Sequence, residues 1–200
     1  MSSEATYAYC RGWSDFASIV EPIECPPRLR YPPPPSRVRV LFVGWNPPGD
    51  HHVWEGAVDD LRDNLAWVFE ELGWRGQEPD FRKDLLQRGC YFVHAVKCWR
   101  SPQSPSFEST RRCSALLAED IKNLKPKNLC ILGKWAHVAT SLVMPLPAPG
   151  ERFKYGKGWT GEVNSMNVII TTFANRRWNS AEKKENRACV ADAFRRWVRL

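Results

Sequence analysis

Polar side chains that could act on a substrate follow separate apolar segments of this sequence. Asn46 stands between Trp45 and Pro47 after the first segment, and its amide could orient a water molecule or a substrate group. An amide does not titrate, so Asn46 could position a reactant but could not be a general base. His94 closes the second segment as a titratable donor and acceptor. The structural alternatives are an Asx-type turn for Asn46 and a satisfied core histidine for His94.

Basic side chains cluster after the later apolar segments. Lys134 opens a helix, where backbone amides suit an anion, although a plain helix start fits equally well. Arg176 and Arg177 precede Trp178, which suits phosphate contact with insertion of a flat ring into a base stack. A loop packed on its own helix is the alternative there. The candidates for contact with a polyanion are Lys97, Arg100, Ser101, Lys134, Arg176, Arg177 and Trp178.

The charge distribution favours a polyanionic partner. The 200-residue chain carries 29 basic and 22 acidic side chains, a net charge of +7. Residues 1–100 hold 12 basic and 14 acidic groups, whereas residues 101–200 hold 17 and 8. This asymmetry predicts an electropositive face built from the second half, or else a basic surface with no particular partner. Ten tryptophans could serve the core, an interface or base stacking.

Composition also excludes several classes of protein. With 43% hydrophobic and 26% charged residues, the chain is neither disordered nor fibrous. No apolar run is long enough to cross a bilayer, and the first residues lack the pattern of a secretory signal. We therefore expect a protein of the cytoplasm, associated with the nucleoid if the source is bacterial, without a membrane partner. The basic surface and the small size predict a monomer.

The pattern of the chain predicts one α/β domain over residues 1–200. Residues 1–36 read as an irregular lead-in that ends in a proline run. Strands then alternate with helices of amphipathic spacing, which predicts a three-layer α/β/α fold with a central four-stranded parallel sheet. The predicted strands are 38–44, 90–96, 128–132 and 167–172, and the predicted helices are 61–72, 109–124, 134–142 and 181–200. Ligands of such sheets bind beyond the carboxyl ends of the strands, where the candidate residues stand.

Four segments in this order resemble the uracil-DNA glycosylase superfamily. VLFVGWNPPGD is similar to its first motif, with one extra proline, and YFVHAVKCWRSP is similar to the family-4 segment in which a strand-end Asn precedes Val-Val-Lys-Cys-Arg-Pro. LCILGKWAH resembles a Gly-x-x-Ala-Gln helix start, and VIITTFANRRWN lines up with the second motif. The resemblance spans residues 38–197 and implies the fold of that superfamily.

The resemblance also implies roles for individual residues. Asn46 falls where the superfamily positions the attacking water, and His94 falls where an Asn reads the uracil edge. Arg176, Arg177 and Trp178 fall in the loop that fills the gap left by a flipped base. Further residues implied to line the substrate site are Gly44, Trp45, Pro47 and Trp54, with Trp54 favoured over Trp45 as the stacking ring.

Two departures from the superfamily bear on chemistry and substrate. Ala174 or Asn175 occupies the position of the second-motif His, so Asn175 is the remaining candidate donor to the departing base. His94 replaces an Asn that would read a pyrimidine edge, and an imidazole offers a similar donor and acceptor only when neutral and correctly oriented. The substrate could therefore be another deaminated base, such as hypoxanthine or xanthine.

The seven cysteines do not suggest a disulfide framework, because their number is odd. Cys90 and Cys130 lie in strand-like runs and are expected in the core. The resemblance to family 4 implies an iron–sulfur cluster, but the close N-terminal pair of that family is missing. Either the cluster is held by Cys10, Cys25, Cys98 and Cys113, or these are inert thiols.

Together these observations predict a monofunctional DNA glycosylase. It would hydrolyse uracil from DNA by base flipping and a positioned water, and no cofactor would be needed for the chemistry. Two alternatives stay open: a glycosylase for another deaminated base, and a nucleic-acid-binding protein on the same fold without catalysis.

Overall fold

The computed structural model describes residues 31–46, 70, 81–97, 107–150, 158–171, 188, 190–192 and 194–196. Within these ranges the strands are β1 Val40–Gly44, β2 Cys90–His94, β3 Asn128–Leu132, β4 Trp159–Val163 and β5 Met166–Thr171. The helices are α1 Phe81–Gln87, α2 Phe107–Leu124 and α3 Lys134–Ser141.

The strands form one sheet in the order β2-β1-β3-β5-β4. Strands β1, β2, β3 and β5 run parallel, which confirms the four predicted parallel strands and the α/β class. Their carboxyl ends therefore lie at one edge of the sheet, called here the carboxyl edge. Strand β2 lies on one side of β1, whereas β3 and then β5 lie on its other side. The direction in which successive strands are added to the sheet therefore reverses between β1 and β3. Ligands of doubly wound sheets bind at such a reversal.

A fifth strand, β4, was not predicted. It pairs antiparallel with β5 at the border of the sheet, through a turn in which Asn164 and Ser165 have φ of 50° and 61°. Two successive positive φ values match the right-handed twist of a hairpin, and Asn is one of the residues that tolerates them. The central sheet therefore has five strands rather than four.

The interior of the sheet is apolar on both faces. All residues of β1, β2 and β3 are buried, as expected for parallel strands covered by helices. The Phe42 ring in β1 meets the edge of Phe194 with centroids 5.9 Å apart, so the C-terminal helical residues pack on this strand. Val190 and Phe194 are both buried.

The predicted helices over 109–124 and 134–142 are confirmed within two residues. The helix predicted over 61–72 lies outside the described residues except for Glu70, which is helical. Helix α1, which packs on β2, was not predicted. No helix among the described residues is long and apolar enough to span a membrane.

Residues 31–36 of the lead-in form neither helix nor strand, yet they contact the core. Tyr31 is buried, and the hydroxyl of Tyr91 in β2 donates a hydrogen bond of 2.8 Å to the Pro32 carbonyl. The lead-in is therefore attached to the border of the sheet at β2, near its carboxyl edge.

Candidate active site

The segments after β1 and β2 are joined by backbone hydrogen bonds. Ala95 N donates to Gly44 O at 2.8 Å, and Val96 N donates to Trp45 O at 2.7 Å. These bonds extend the pairing of the two strands beyond their ends, where Gly44 and His94 are register partners. Asn46, directly after Trp45, is therefore held beside the segment that follows His94.

Gly44 is needed for packing at this edge. A Cβ atom there would lie 2.7 Å from Cζ of Phe92 and 3.5 Å from Cδ2 of His94. The resemblance implied that Gly44 lines the substrate site, but among the described residues the space beside its Cα is filled by the Phe92 ring. Gly44 thus allows Phe92 and His94 to lie close to β1.

The His94 side chain is buried and its orientation is fixed. Nδ1 lies 2.9 Å from the hydroxyl of Tyr31, and the Phe92 ring packs edge-on with centroids 5.0 Å apart. His94 therefore combines both sequence interpretations, because it is a bonded interior histidine and also stands at the strand end.

Trp45 makes two contacts that anchor the loop after β1. Its Nε1 donates to Oγ1 of Thr110 in α2 at 3.2 Å, and its ring stacks on Trp135 with centroids 5.2 Å apart and planes 20° apart. One face of Trp45 is therefore occupied by a protein ring, which weakens its candidacy as the ring on which a base stacks. Trp135 is 42% exposed.

The start of α3 lies on the other side of the reversal between β1 and β3. Gly133 precedes the helix with φ of 93°, a value that favours glycine, and its N–H donates to the Thr171 carbonyl of β5 at 2.7 Å. Lys134 is exposed, with Nζ 5.8 Å from the centre of the Trp135 ring. A cation and an exposed indole therefore stand together at the carboxyl edge.

The prediction that Lys97 contacts DNA does not fit its surroundings. Lys97 is buried, and its ammonium forms an ion pair with Asp120 of α2. The same ammonium lies 5.4 Å from the centre of the Tyr31 ring. Its charge is compensated inside the protein, so the structure assigns Lys97 to the junction of α2 with β2 and the lead-in.

The described cysteines are buried. Cys90 and Cys130 are core residues as predicted, and burial raises the pKa of the Cys90 thiol to about 12, which keeps it protonated at neutral pH. Cys113 packs against Val96 and Trp45. The described residues contain no group of three metal-binding side chains, and the other three proposed cluster ligands, Cys10, Cys25 and Cys98, lie outside them.

Several predicted site residues also lie outside the described part of the chain, so their roles stay predictions. They are Pro47, Trp54, Arg100, Ser101, Asn175, Arg176, Arg177 and Trp178.

A family model of the uracil DNA glycosylase superfamily matches residues 32–197. The chain belongs to the uracil DNA glycosylase superfamily. No individual curated protein matches the chain. Membership indicates a DNA glycosylase, a hydrolase that acts on DNA, and the five-stranded, mostly parallel sheet agrees with the fold of the superfamily.

Within this glycosylase fold, sequence reasoning missed three residues at the carboxyl edge. Tyr31, Thr110 and Trp135 orient or cover His94 and Trp45 through contacts between residues at least 63 positions apart. The sequence signal was weak, because each stands in a segment interpreted as lead-in, helix or helix start. Tyr31 and Thr110 lie outside the four motif segments, and Trp135 lies within LCILGKWAH at a position to which the resemblance assigned no role.

Proposed function

We propose that this protein hydrolyses the N-glycosidic bond of uracil in DNA and leaves an abasic site. The observation that carries the proposal is the joining of the first two strand ends, Ala95 to Gly44 and Val96 to Trp45. Through this pairing, the Asn46 amide and the His94 imidazole belong to neighbouring strand ends in a chain of this superfamily. An amide and an imidazole can hold a water and donate to a departing base.

The chemistry requires little from the protein beyond positioning. Glycosidic cleavage passes through a sugar with oxocarbenium character, while negative charge gathers on the leaving base. Asn46 holds the attacking water by hydrogen bonds, and His94 donates to the base as charge develops on it. No strong nucleophile is needed, and residues 175–178 are proposed to support the flipped state from the segment after β5.

DNA binding is proposed to involve the start of α3. Lys134 supplies an exposed cation, and Trp135 beside it offers an aromatic face. Stacking on aromatic side chains stabilises unstacked bases by about 1–3 kcal/mol each. Both residues lie at the carboxyl edge, with Trp135 in direct contact with Trp45, the neighbour of Asn46.

One observation favours a second candidate, a glycosylase for another deaminated base. His94 stands where the superfamily resemblance implies an Asn, and its Nδ1 is hydrogen-bonded to Tyr31, which lies outside the motifs. An imidazole edge with one donor fits a purine carbonyl as well as a pyrimidine carbonyl. Hypoxanthine and xanthine therefore remain alternatives to uracil.

A panel of oligonucleotides tests these candidates, each carrying a single uracil, hypoxanthine or xanthine in single-stranded and duplex form. We expect abasic-site formation, revealed by alkaline strand cleavage, with uracil giving the highest rate. Cleavage of a purine lesion alone would transfer the assignment to the second candidate. Tight binding of all substrates without any abasic product would identify a non-catalytic binder.

The iron–sulfur cluster stays a proposal that depends on Cys10, Cys25, Cys98 and Cys113. The absorbance spectrum of freshly purified protein tests it, because a cluster gives a broad visible band. A colourless protein without iron would identify the cysteines as thiols.

A further inference from the structure

The edge of the sheet at which the parallel strands begin, called here the amino edge, is basic. Arg39 stands directly before β1, Arg88 shortly before β2 and Lys127 directly before β3. Backbone hydrogen bonds hold these segments side by side, since Arg39 N donates to Gly89 O at 2.7 Å and Asn128 N donates to the Arg39 carbonyl at 3.1 Å. Cations from three separate parts of the chain therefore meet at this edge.

Three cations of the amino edge are exposed to solvent: Arg37, Lys125 and Lys127. Lys125 has φ of 44°, a left-handed conformation in which a side chain is strained and glycine is the usual residue after a helix. Its N–H donates to the Ile121 carbonyl at 3.0 Å, so Lys125 closes α2 as such a glycine would. Pro126 is buried, and its fixed φ limits the conformations of the segment that carries both lysines. A lysine where glycine would be less strained indicates a use for the side chain.

The acidic side chains of the described residues do not neutralise this edge. Asp84 in α1 forms an ion pair with Arg88, in which Oδ1 lies 2.9 Å from Nε. Glu162 is exposed in β4, which is separated from β3 by β5. The residues directly before β1, β2 and β3 therefore form a surface of net positive charge, and its exposed cations come from the segments before β1 and β3.

The character of the amino edge favours the backbone of a nucleic acid over a protein partner. Protein interfaces are anchored by aromatic and apolar side chains. The exposed large hydrophobic residues of the described chain are Phe107, Trp135 and Leu142, and none of them is among the residues directly before β1, β2 and β3. Phosphate groups are bound by cations without apolar anchors, and the superfamily of this chain acts on DNA.

A duplex bound at the carboxyl edge does not reach the amino edge. Strands β1 and β3 have five residues each, which separates the two edges by about 15 Å along the strands. Duplex DNA has a persistence length of about 50 nm, so it does not turn back around the sheet over so short a distance. A backbone bound at the amino edge therefore belongs to a second segment.

We propose that the amino edge binds the phosphate backbone of a second duplex segment, independently of base sequence, through Arg37, Lys125 and Lys127. The contact at the amino edge does not depend on the proposed glycosylase chemistry. The simultaneous binding of two segments rests on the DNA contact proposed for the carboxyl edge. A protein with two such edges can pass from one duplex segment to a neighbouring one without dissociating fully from DNA.

Lysine acetylation followed by mass spectrometry locates the contacts in the full chain. The reactivity of each lysine is measured while a lesion-free duplex is added up to an excess over the protein. We expect protection of Lys125 and Lys127 at the amino edge and of Lys134 at the carboxyl edge. Unprotected Lys125 and Lys127 would overturn the proposal. Protection of those two without Lys134 would refute the binding of two segments and the contact proposed for the start of α3.

Capture of a labelled duplex by protein already bound to an immobilised duplex tests whether both segments bind together. We expect the native protein to capture it and the double variant Lys125→Gln/Lys127→Gln to lose capture, with a native rate of lesion excision. The slope of log capture against log salt concentration should fall by about two units, one for each phosphate contact. Native-like capture by the double variant would overturn the proposal, as would capture of a labelled polyglutamate peptide in preference to the duplex.

The double variant Arg111→Gln/Lys134→Gln is the matched control, because it removes two exposed charges from helices that begin at the carboxyl edge. We expect the control to raise KM for excision, which the amino-edge variant leaves native. An equal rise in KM in both variants would show that only total charge matters and would overturn the assignment to the amino edge. A native protein that captures the second duplex but excises no lesion would refute the glycosylase function and leave this inference standing.

Discussion

The two edges of the sheet hold buried polar side chains in different ways. At the amino edge, Asn128 Nδ2 donates to the Arg39 carbonyl at 2.8 Å, and Asn167 Nδ2 donates to Asn128 Oδ1 at 2.8 Å. These amides join β3 and β5 to the residue before β1. At the carboxyl edge, His94 and Trp45 are held by side chains from other parts of the chain, Tyr31 and Thr110.

Under the proposed function, this difference separates the structural polar groups of the amino edge from the proposed functional groups of the carboxyl edge. An amide bonded to backbone and to a second amide has little capacity left for a ligand, so the amino edge stabilises the sheet. The carboxyl edge adds an exposed cation, Lys134, and an indole, Trp135, that is 42% exposed although it stacks on Trp45. Substitutions at the two edges should therefore affect different measurements.

The largest effect is expected from Asn46→Ala at the carboxyl edge. Losing the group that positions the attacking water should lower the rate of uracil release by about a hundredfold or more, the range for removing one placed hydrogen-bonding group. The midpoint of thermal unfolding and the affinity for uncleaved DNA should change little. Single-turnover kinetics on a uracil oligonucleotide measure the rate, and native-like excision would remove Asn46 from the mechanism.

Lys97→Met should mainly destabilise the fold. The substitution leaves Asp120 without the Lys97 ammonium, and breaking a buried ion pair costs about 3–5 kcal/mol. We expect the lower end of this range, because the Asp120 side chain is 17% exposed. Urea unfolding measures the loss. The salt dependence of DNA binding by the folded protein should stay native, and a reduced dependence would restore Lys97 as a phosphate contact.

Asn128→Ala tests the amino edge by the same substitution as Asn46→Ala. It removes one of two donors to the Arg39 carbonyl, which keeps the backbone N–H of residue 128, and it removes the acceptor of the Asn167 amide. The cost is about 1–3 kcal/mol in the free energy of unfolding. Excision per folded molecule should equal that of the native protein. A large loss of activity without a loss of stability would show that the two edges are not functionally distinct.

Lys134→Ala should weaken DNA binding without a change in stability. An exposed cation that contacts one phosphate contributes about one unit to the slope of log affinity against log salt concentration. Fluorescence anisotropy over a salt series measures that slope. An unaltered slope would show that the start of α3 makes no phosphate contact.

The smallest effect concerns the pH dependence of stability. His137 is fully buried, its Nε2 donates to the Pro147 carbonyl at 2.9 Å, and burial lowers its pKa below the ordinary 6.5. A depressed histidine pKa means that the unfolded chain binds more protons, so stability is full above about pH 6.5 and falls as pH drops towards the folded pKa. Urea unfolding at a series of pH values measures this loss of stability, and His137→Gln should reduce it. An unchanged loss of stability at low pH would exclude His137 as its source.

Much of the fold could be predicted because it depends on local patterns. The continuous apolar run of β1 predicts a strand that is buried on both faces. The amphipathic spacing of α2 predicts a helix that is buried on one face. Strand β4 escaped prediction because its residues are mostly half-buried and Gly161 interrupts the strand pattern. Helix α1 escaped because seven residues hold too few helical turns for a periodic signal.

The site was predictable only in part. The positions of Asn46 and His94 at strand ends follow from the order of elements, since parallel strands share a carboxyl edge. The contact of Lys97 with Asp120 did not follow, because a lysine after a strand looks the same in sequence whether it faces solvent or a helix. The stacking of Trp45 on Trp135 joins segments that lie on opposite sides of the chain reversal.

The sequence by itself determined the class of the fold, the parallel strands and the set of residues that stand at their carboxyl ends, because hydrophobic periodicity and connection rules act over short distances along the chain. Only the tertiary structure decided which charge is compensated, which ring is already covered and which hydroxyl orients His94. Those outcomes depend on contacts between segments dozens of residues apart, and their energies arise when packing excludes water from both partners.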